Sequence, residues 1–511
     1  MKKILILLAM AAGLSSCDKD FENINTNPTQ STNIDPVYLF SNAQLNTTLA
    51  SQTMFYEAAI VQQVNTPFGG VNTGANLNQD YRDNTRVNWL YLYSGTNNGN
   101  NGPIKLLTAV LDQTKADSSR TNLYHMSRIW RAYVFQVLVD TYGDVPYFDA
   151  GKAYISGNKL PKYDPQAEIY ADLVKELEGA IAGLNAAKRI ETGDLFYQGN
   201  VAKWKRLGYS LLLRIGMRYS KTDPAKAQAL AQKAYQGGVL QSNDDNVRIQ
   251  YSSIYTNPLG NLWNNTEKAN LYVGAPFVSY LKSTNDPRLT VIAVRYGEPS
   301  KNPEQTTVDR TFANQIGMPF GYDDGSIGSA PNFPGKVASG GWNYSQINRR
   351  TVGKVDGPTY YVTYAQTQLL LAEAAQRGWI QASAADLYKT GVAAHMNQMK
   401  DYDASATIPQ TAIDEYLAAQ PYTAARGLEQ INSQYWVASF LNGPEAFANW
   451  RRSGFPVLTP NKYPGRTIAG DFIRRLTYPI LEQSVNAENY NAAVSRQGPD
   501  DLETRVFWDK P

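Results

Sequence analysis

The sequence predicts a mostly α-helical protein with long loop-rich insertions. Three observations predict it. Apolar residues recur at helical spacing in segment after segment. Asp, Asn, Pro and Gly punctuate those segments where helices start and stop. Between about 240 and 360 the helical periodicity gives way to Gly, Pro, Asn, Ser and Tyr.

The clearest helix lies in NLYHMSRIWRAYVFQVLVDTYGDVP, where Met126, Ile129, Trp130, Tyr133, Val134, Val137 and Leu138 form one apolar stripe. Gly143 and Pro146 stop it. A second helix opens at Asp164-Pro165, a cap followed by proline at the first helical position. Its stripe is Ile169, Leu173, Val174, Leu177, Ile181 and Leu184. A third begins near Asn200 with Trp204, Leu207, Leu211 and Ile215 on one face. Asp223-Pro224 opens a fourth, closed by Gly237-Gly238. Short links favour antiparallel neighbours, and such pairs suggest tetratricopeptide-like units. WKRLGYSL matches that repeat in Trp204 and Leu207-Gly208, but has Leu211 where Tyr is expected. The spacing of the two Asp-Pro starts is far from the regular period of about 34, so the repeats are degenerate. Helical patterns return in YAQTQLLLAEAAQRGW, SAADLYKTGVAAHMNQM and AARGLEQINSQYWVASFLNGPEAFANWRRSG.

The N-terminus reads as an address. Lys2 and Lys3 precede an apolar run, Ile4 to Ala12, too short to span a bilayer as a mature helix. Leu14-Ser15-Ser16-Cys17 then resembles the bacterial lipobox, with small residues just before the cut and the only Cys of the chain at the acceptor position. Residues 1–16 are thus the expected signal peptide and Cys17 the expected lipidation site; several acyl chains give a stable anchor where one is marginal. Residues 17–36 combine acidic residues with an Asn/Thr/Pro stretch that reads as a flexible tether. Acidic residues directly after the acylated Cys resemble the signal for the outer face of the outer membrane. Residues 37–511 are expected to form a single α domain.

Composition excludes several functions. Of 511 residues, 48 are Lys or Arg and 45 Asp or Glu, a net charge of +3 with no basic block, which argues against nucleic acid. One Cys allows no internal disulfide, and the two histidines, His125 and His395, are too few for a Cys/His zinc site. Both lie in helical patterns and read as ordinary helix residues. GANLNQ and GGVNTG lack the Gly-Lys-Ser/Thr of a phosphate loop. The chain has 34 Tyr, more than its 9 Trp and 16 Phe together, and this aromatic weight falls partly in the loops.

Taken together, the lipobox with CDKDFENINTNPT, RIWRAYVFQVLVDTYGDVPYFDA, YDPQAEIYADLVKELEGAI, GNVAKWKRLGYSLLLRIGMRYS, NDPRL, TYAQTQLLLAEAAQRGW, QYWVASFLNGPEAFANWRRSGFPVL and RRLTYPILEQSVNAENYNAA resemble SusD/RagB-like outer-membrane nutrient-binding lipoproteins. The resemblance is strongest to the starch-binding-associating SusD-like branch and spans residues 17 to about 495. It implies four tetratricopeptide-like helix pairs as scaffold, with loops forming a ligand face. It implies a surface-exposed, lipid-anchored lid over a SusC-like TonB-dependent β-barrel transporter. Oligosaccharides, or peptides in some members, would be captured and passed on; members bind rather than catalyse.

The residues themselves fit sugar capture, because rings stack on C–H faces while Asn, Asp, Gln and Arg bond hydroxyls. Loop 67–102 carries Asn72, Asn76, Asn78, Asp80, Tyr81, Arg82, Asn88 and Trp89; the middle region carries Tyr296, Tyr322, Asp323, Asp324, Trp342, Asn343 and Tyr344. The expected platforms are Tyr81, Trp342 and Tyr344, with Asn72, Asp323 and Asn343 as hydrogen-bonders. Trp89 reads as buried, and Trp130, Trp204, Trp436 and Trp450 as core. Three rivals stand beside glycan binding: a peptide ligand, a surface glycoside hydrolase using the Asp323-Asp324 pair, and a scaffold lipoprotein with no ligand. No catalytic residue and no cofactor is expected. A structural calcium at Asp244-Asp245 or Asp323-Asp324 has oxygen ligands but no matching loop motif.

Overall fold

A computed structural model describes residues 34–47, 51–68, 74–95, 101–338 and 340–511. The signal peptide, Cys17, nearly all of the tether, and Asn72 lie outside the described residues.

Helices carry the body. α1 (Pro36–Asn46) starts where the Asp35 carboxylate accepts from the Val37 amide at 2.9 Å, with Pro36 at the first position. α2 (Ser51–Ile60), α3 (Val87–Tyr93) and α4 (Pro103–Thr114) follow. α5 (Thr121–Tyr142) ends at Gly143, whose φ of 81° suits glycine. Every residue of its expected stripe is buried. α6 (Gln166–Gly183), α7 (Val201–Arg218) and α8 (Pro224–Gly237) lie where the periodicity puts them. Asn200 and Asp223 cap α7 and α8 through the Lys203 and Lys226 amides.

The Asp164 cap is a correction. Asp164 bonds the Tyr147 and Phe148 amides instead, both at 2.9 Å, and the Gln166 amide is capped across the fold by Asp144 at 2.8 Å. The cause is tertiary: residue 164 bridges to Val145, turning its side chain toward the preceding loop.

α9 (Ala275–Ser283) is a helix inside the region where periodicity is lost. α10 (Tyr364–Gln376) opens with a capping box of Thr363 and Gln366. α11 (Ala384–Gln398), α12 (Gly427–Ala438) and α13 (Gly443–Ser453) complete the scaffold. α1 packs on α4, α4 on α5, α5 on α6, α6 on α7 and α7 on α8. α7 also meets α10, which carries α11 and α12; α12 carries α13, which covers α2. The chain's two halves are thereby closed on each other. One apolar cluster runs from Val37 to Trp508 and includes Trp89, Trp130, Trp204, Trp436 and Trp450, all buried as expected.

Buried ion pairs tie the helices within this core. Arg452 of α13 donates to both oxygens of Glu373 on α10 at 2.7 and 2.6 Å. Arg218 of α7 bridges Asp140 of α5 at 3.2 Å and Glu445 of α13 at 2.8 Å. His395 lies 2.9 Å from Arg288 and is buried; His125 is held down to about 4 by burial and by Arg128. Both are helix histidines, as read.

Among the described residues seven short strands pin the insertions to the helices. They are β1 (Val64–Asn65), β2 (Val247–Ile249), β3 (Tyr272–Val273), β4 (Ala293–Tyr296), β5 (Val308–Asp309), β6 (Gln346–Ile347) and β7 (Thr359–Val362). β1 pairs with β3, β2 with β7, and β4 lies between β5 and β6, all antiparallel. The β1–β3 pair matters most here, because it brings the first loop region onto the middle one. Among the described residues no helix is long and apolar enough to cross a membrane.

Candidate functional site

Three segments distant in sequence meet beside the β1–β3 pair. Asn65 reaches the Pro319 carbonyl at 2.7 Å, and Gln62 the Thr459 carbonyl at 2.6 Å. Asn78 bonds the Asn461 carbonyl at 3.0 Å, Asn461 bonds the Asn76 carbonyl, and Asn76 bonds Thr66. Gln79 donates to Gly465 at 2.8 Å and the Asp80 amide to Thr467 at 2.9 Å. Asparagine suits this role because one side chain both donates and accepts, so it can satisfy loop backbone that no sheet covers. Residues 62–68, 74–81, 318–338, 340–344 and 459–467 therefore form one loop face.

Two glycines permit the close approaches. Gly74 has φ of 121°, and a Cβ there would stand 2.5 Å from the Tyr56 ring and 3.1 Å from Tyr81 Cβ. Gly341 has φ of 87°, and its Cβ would stand 2.7 Å from the Tyr272 hydroxyl. That hydroxyl accepts from the Trp342 amide at 3.0 Å and donates to the Ala269 carbonyl at 2.5 Å.

The expected residues fall into different layers of this face. Tyr81 is 40% exposed, and its carbonyl accepts the Asn84 amide that starts a short helical turn. Trp342 is 6% exposed and Tyr344 2%. They belong to a small apolar cluster with Tyr272, Met318, Ile327 and Ala330, roofed by Phe68 and Phe333. The Trp342 ring lies 4.9 Å from that of Phe68. Trp342 and Tyr344 thus form the floor under the loops, packed with Tyr272, Phe68 and Phe333. Burial, with Tyr322 nearby, pushes the Tyr344 hydroxyl up to about 12.

Asp323 and Asn343 are committed within the protein. Asp323 accepts from the Ser326 amide at 2.8 Å and hydroxyl at 2.6 Å, and from the Tyr463 hydroxyl at 2.8 Å. These bonds, Ser326 foremost, hold its carboxyl below the usual range. A general acid needs the opposite shift. Asn343 accepts from Arg295 at 3.2 Å and fixes its amide on the Gly335 carbonyl.

Tyr463 is the residue that sequence reading missed. It stands half-buried in PNKYPGRT, and the Asp323 bond joins it to the middle loop. The available signal was a tyrosine inside a Pro/Gly turn run after the helix Gly443–Ser453. Tyr322, half-buried beside Tyr344, is another partly open ring.

Asp245, a calcium candidate, takes Arg206 at 3.1 Å and the Gln241 amide at 2.9 Å. Among the described residues no group of three or more His, Cys, Asp or Glu is placed to hold a metal.

The helical scaffold carries a loop-built, aromatic-lined face, and comparison with known proteins gives the chain a family. A SusD-like family model, described as starch-binding associating with outer membrane, matches residues 28–479, so the chain belongs to that SusD-like family. A solved chitin-binding protein is 30% identical, with a TM-score of 0.80 over 93% of this chain and 100% of its own. A SusD-like protein of Bacteroidetes AC2a is 25% identical, with a TM-score of 0.80 over 94% and 100%. A chitin-binding SusD homologue of Flavobacterium johnsoniae shares the fold at 23% identity, with a TM-score of 0.74 over 93% and 98%. No functionally curated protein matches the chain.

Proposed function

We propose that this protein captures oligosaccharides at the cell surface and delivers them to a SusC-like TonB-dependent transporter, anchored by a lipid on Cys17. The observation that carries the reading is the convergence of three distant loops that leave Tyr81, Tyr322 and Tyr463 open in one polar surround. Rings of this kind stack on sugar faces, and Gln79, Asp80 and Asp324 beside them offer hydroxyl partners. The buried Trp342 and Tyr344 hold the floor level. The 30%-identical chitin-binding relative makes N-acetylated oligosaccharides the first ligands to try. Binding is non-covalent, and the energy for uptake comes from the barrel partner.

Calorimetric titration of the purified protein with chitin, starch, fructan and mannan oligosaccharides, and with mixed peptides, tests this. Saturable heat with one glycan class, weakened about tenfold by Tyr81→Ala plus Tyr463→Ala, supports it. Heat with peptides alone, or none with any glycan, overturns it.

A further inference from the structure

A second cleft shares no lining residue with the loop face. Its volume is about 670 Å³, and Arg310, Arg349, Arg350 and Lys354 line it together with Glu304 and Asp403. Four cations face two carboxylates. The turn NRRTVGK builds it: Asn348 accepts the Arg350 amide through its side chain, and its carbonyl accepts the Thr351 and Gly353 amides. Thr351 anchors the turn on the Val291 carbonyl at 2.5 Å. Two arginines and a lysine are thereby presented from one rigid loop.

These cations are poorly neutralised. Arg349 is 4% exposed, yet its guanidinium is held by the Lys301 and Pro299 carbonyls, at 3.1 and 3.0 Å, and by the Tyr296 ring, 4.1 Å below it. Arg350 donates to the Pro303 carbonyl. Neither has a carboxylate within ion-pair distance among the described residues, and Arg310 is exposed with no ion pair there. By contrast, buried Arg218, Arg288 and Arg452 each meet one. A buried guanidinium without a counter-charge is costly, and an anion in the cleft offsets that cost. Lys354 is paired with Asp403 at 2.8 Å, which leaves Arg310 and Arg350 as the accessible positive charge, with buried Arg349 behind them.

We propose that this cleft binds an acidic oligosaccharide, a glycan bearing carboxylate or sulfate groups. The arginine forks suit a carboxylate or sulfate bidentately. The volume exceeds a bare ion by far, and three asparagines with Ser405 line the remainder with groups that bond sugar hydroxyls. The site does not depend on the loop-face reading.

The test is titration of the purified protein at low salt with an oligogalacturonide, a sulfated disaccharide, a neutral oligosaccharide of equal length, and inorganic phosphate. The expected result is binding of an acidic glycan, reduced about tenfold or more by Arg310→Gln plus Arg350→Gln. Tyr81→Ala plus Tyr463→Ala should leave it unchanged. Circular dichroism melting checks that both variants fold. A neutral sugar losing affinity to the arginine changes as the acidic one does, phosphate binding as tightly as the acidic sugar, or acidic-sugar binding insensitive to the arginine changes each overturns the proposal. Loss on the tyrosine changes also overturns it, by moving the acidic sugar to the loop face. Failure of neutral glycans alone would count against the loop-face reading and leave this one standing.

Discussion

Replacing Glu373 by Gln strikes a fully buried ion pair between two helices of the core. Glu373 and Arg452 both have side chains with no exposure. The carboxylate takes two bonds from Arg452, one from Arg377 at 2.9 Å and one from Asn432 at 3.0 Å. Burial raises its carboxyl, but Arg452 and Arg377 outweigh that and hold it at about 2 rather than 4.5. At about 1.4 kcal/mol per tenfold change in proton affinity, the depression corresponds to about 3 kcal/mol. Breaking one partner of a buried pair independently gives about 3–5 kcal/mol, since Arg452 would keep an uncompensated charge. The folded-state value lies below the unfolded one, so the stabilisation is present above about 4.5 and disappears as pH falls through about 2. Urea unfolding at pH 7 should show Glu373→Gln less stable by about 3 kcal/mol, with the gap narrowing between pH 4.5 and 2.5. A Glu373→Leu, Arg452→Met double variant should recover much of the loss, because no charge is left stranded. A single variant within about 0.5 kcal/mol of the parent at pH 7 would refute the reasoning, as would a gap that does not change with pH.

Four further outcomes are expected. Glu57 is buried, accepts from Thr141 at 3.0 Å, and is pushed by desolvation up to about 8; its contribution is present below about 4.5 and lost as pH rises through 8, so Glu57→Gln should flatten the fall in melting temperature between pH 5 and 8.5. Trp342→Ala should cost about 3–5 kcal/mol on unfolding, against less than about 0.5 for exposed Tyr81→Ala. Gly341→Ala adds a Cβ beside the Tyr272 hydroxyl at positive φ, so hydrogen exchange at residues 340–344 should rise while the helices stay protected. Cys17→Ser should move the protein from the membrane to the soluble fraction on cell fractionation, if the Cys thiol carries the acyl chains.

The helices were legible because each one buries a stripe, and a stripe is a local property of sequence. Trp204, Leu207, Leu211 and Ile215 announce α7 with no reference to the rest of the chain, and Asn200 and Asp223 cap where their amides are. Asp164 shows the limit: the same Asp-Pro signal carried a cap at 223 and a loop clasp at 164, decided by Val145 across the fold.

The candidate face was legible only in composition. Tyr, Trp, Asn and Gly in long loops marked a surface-like region, and Tyr81 stands there open. Which rings face outward depended on what covered them. Trp342 and Tyr344 lie under Phe68 and Phe333, while Tyr463 comes from a segment more than a hundred residues further on and is fixed by Asp323. Sequence by itself determined the helical periods and pointed to the family. Only the tertiary structure decided which loop residues meet and which cations stand without a carboxylate among the described residues, because exposure and charge balance are set by neighbours in space, and long loops bring those neighbours from anywhere in the chain.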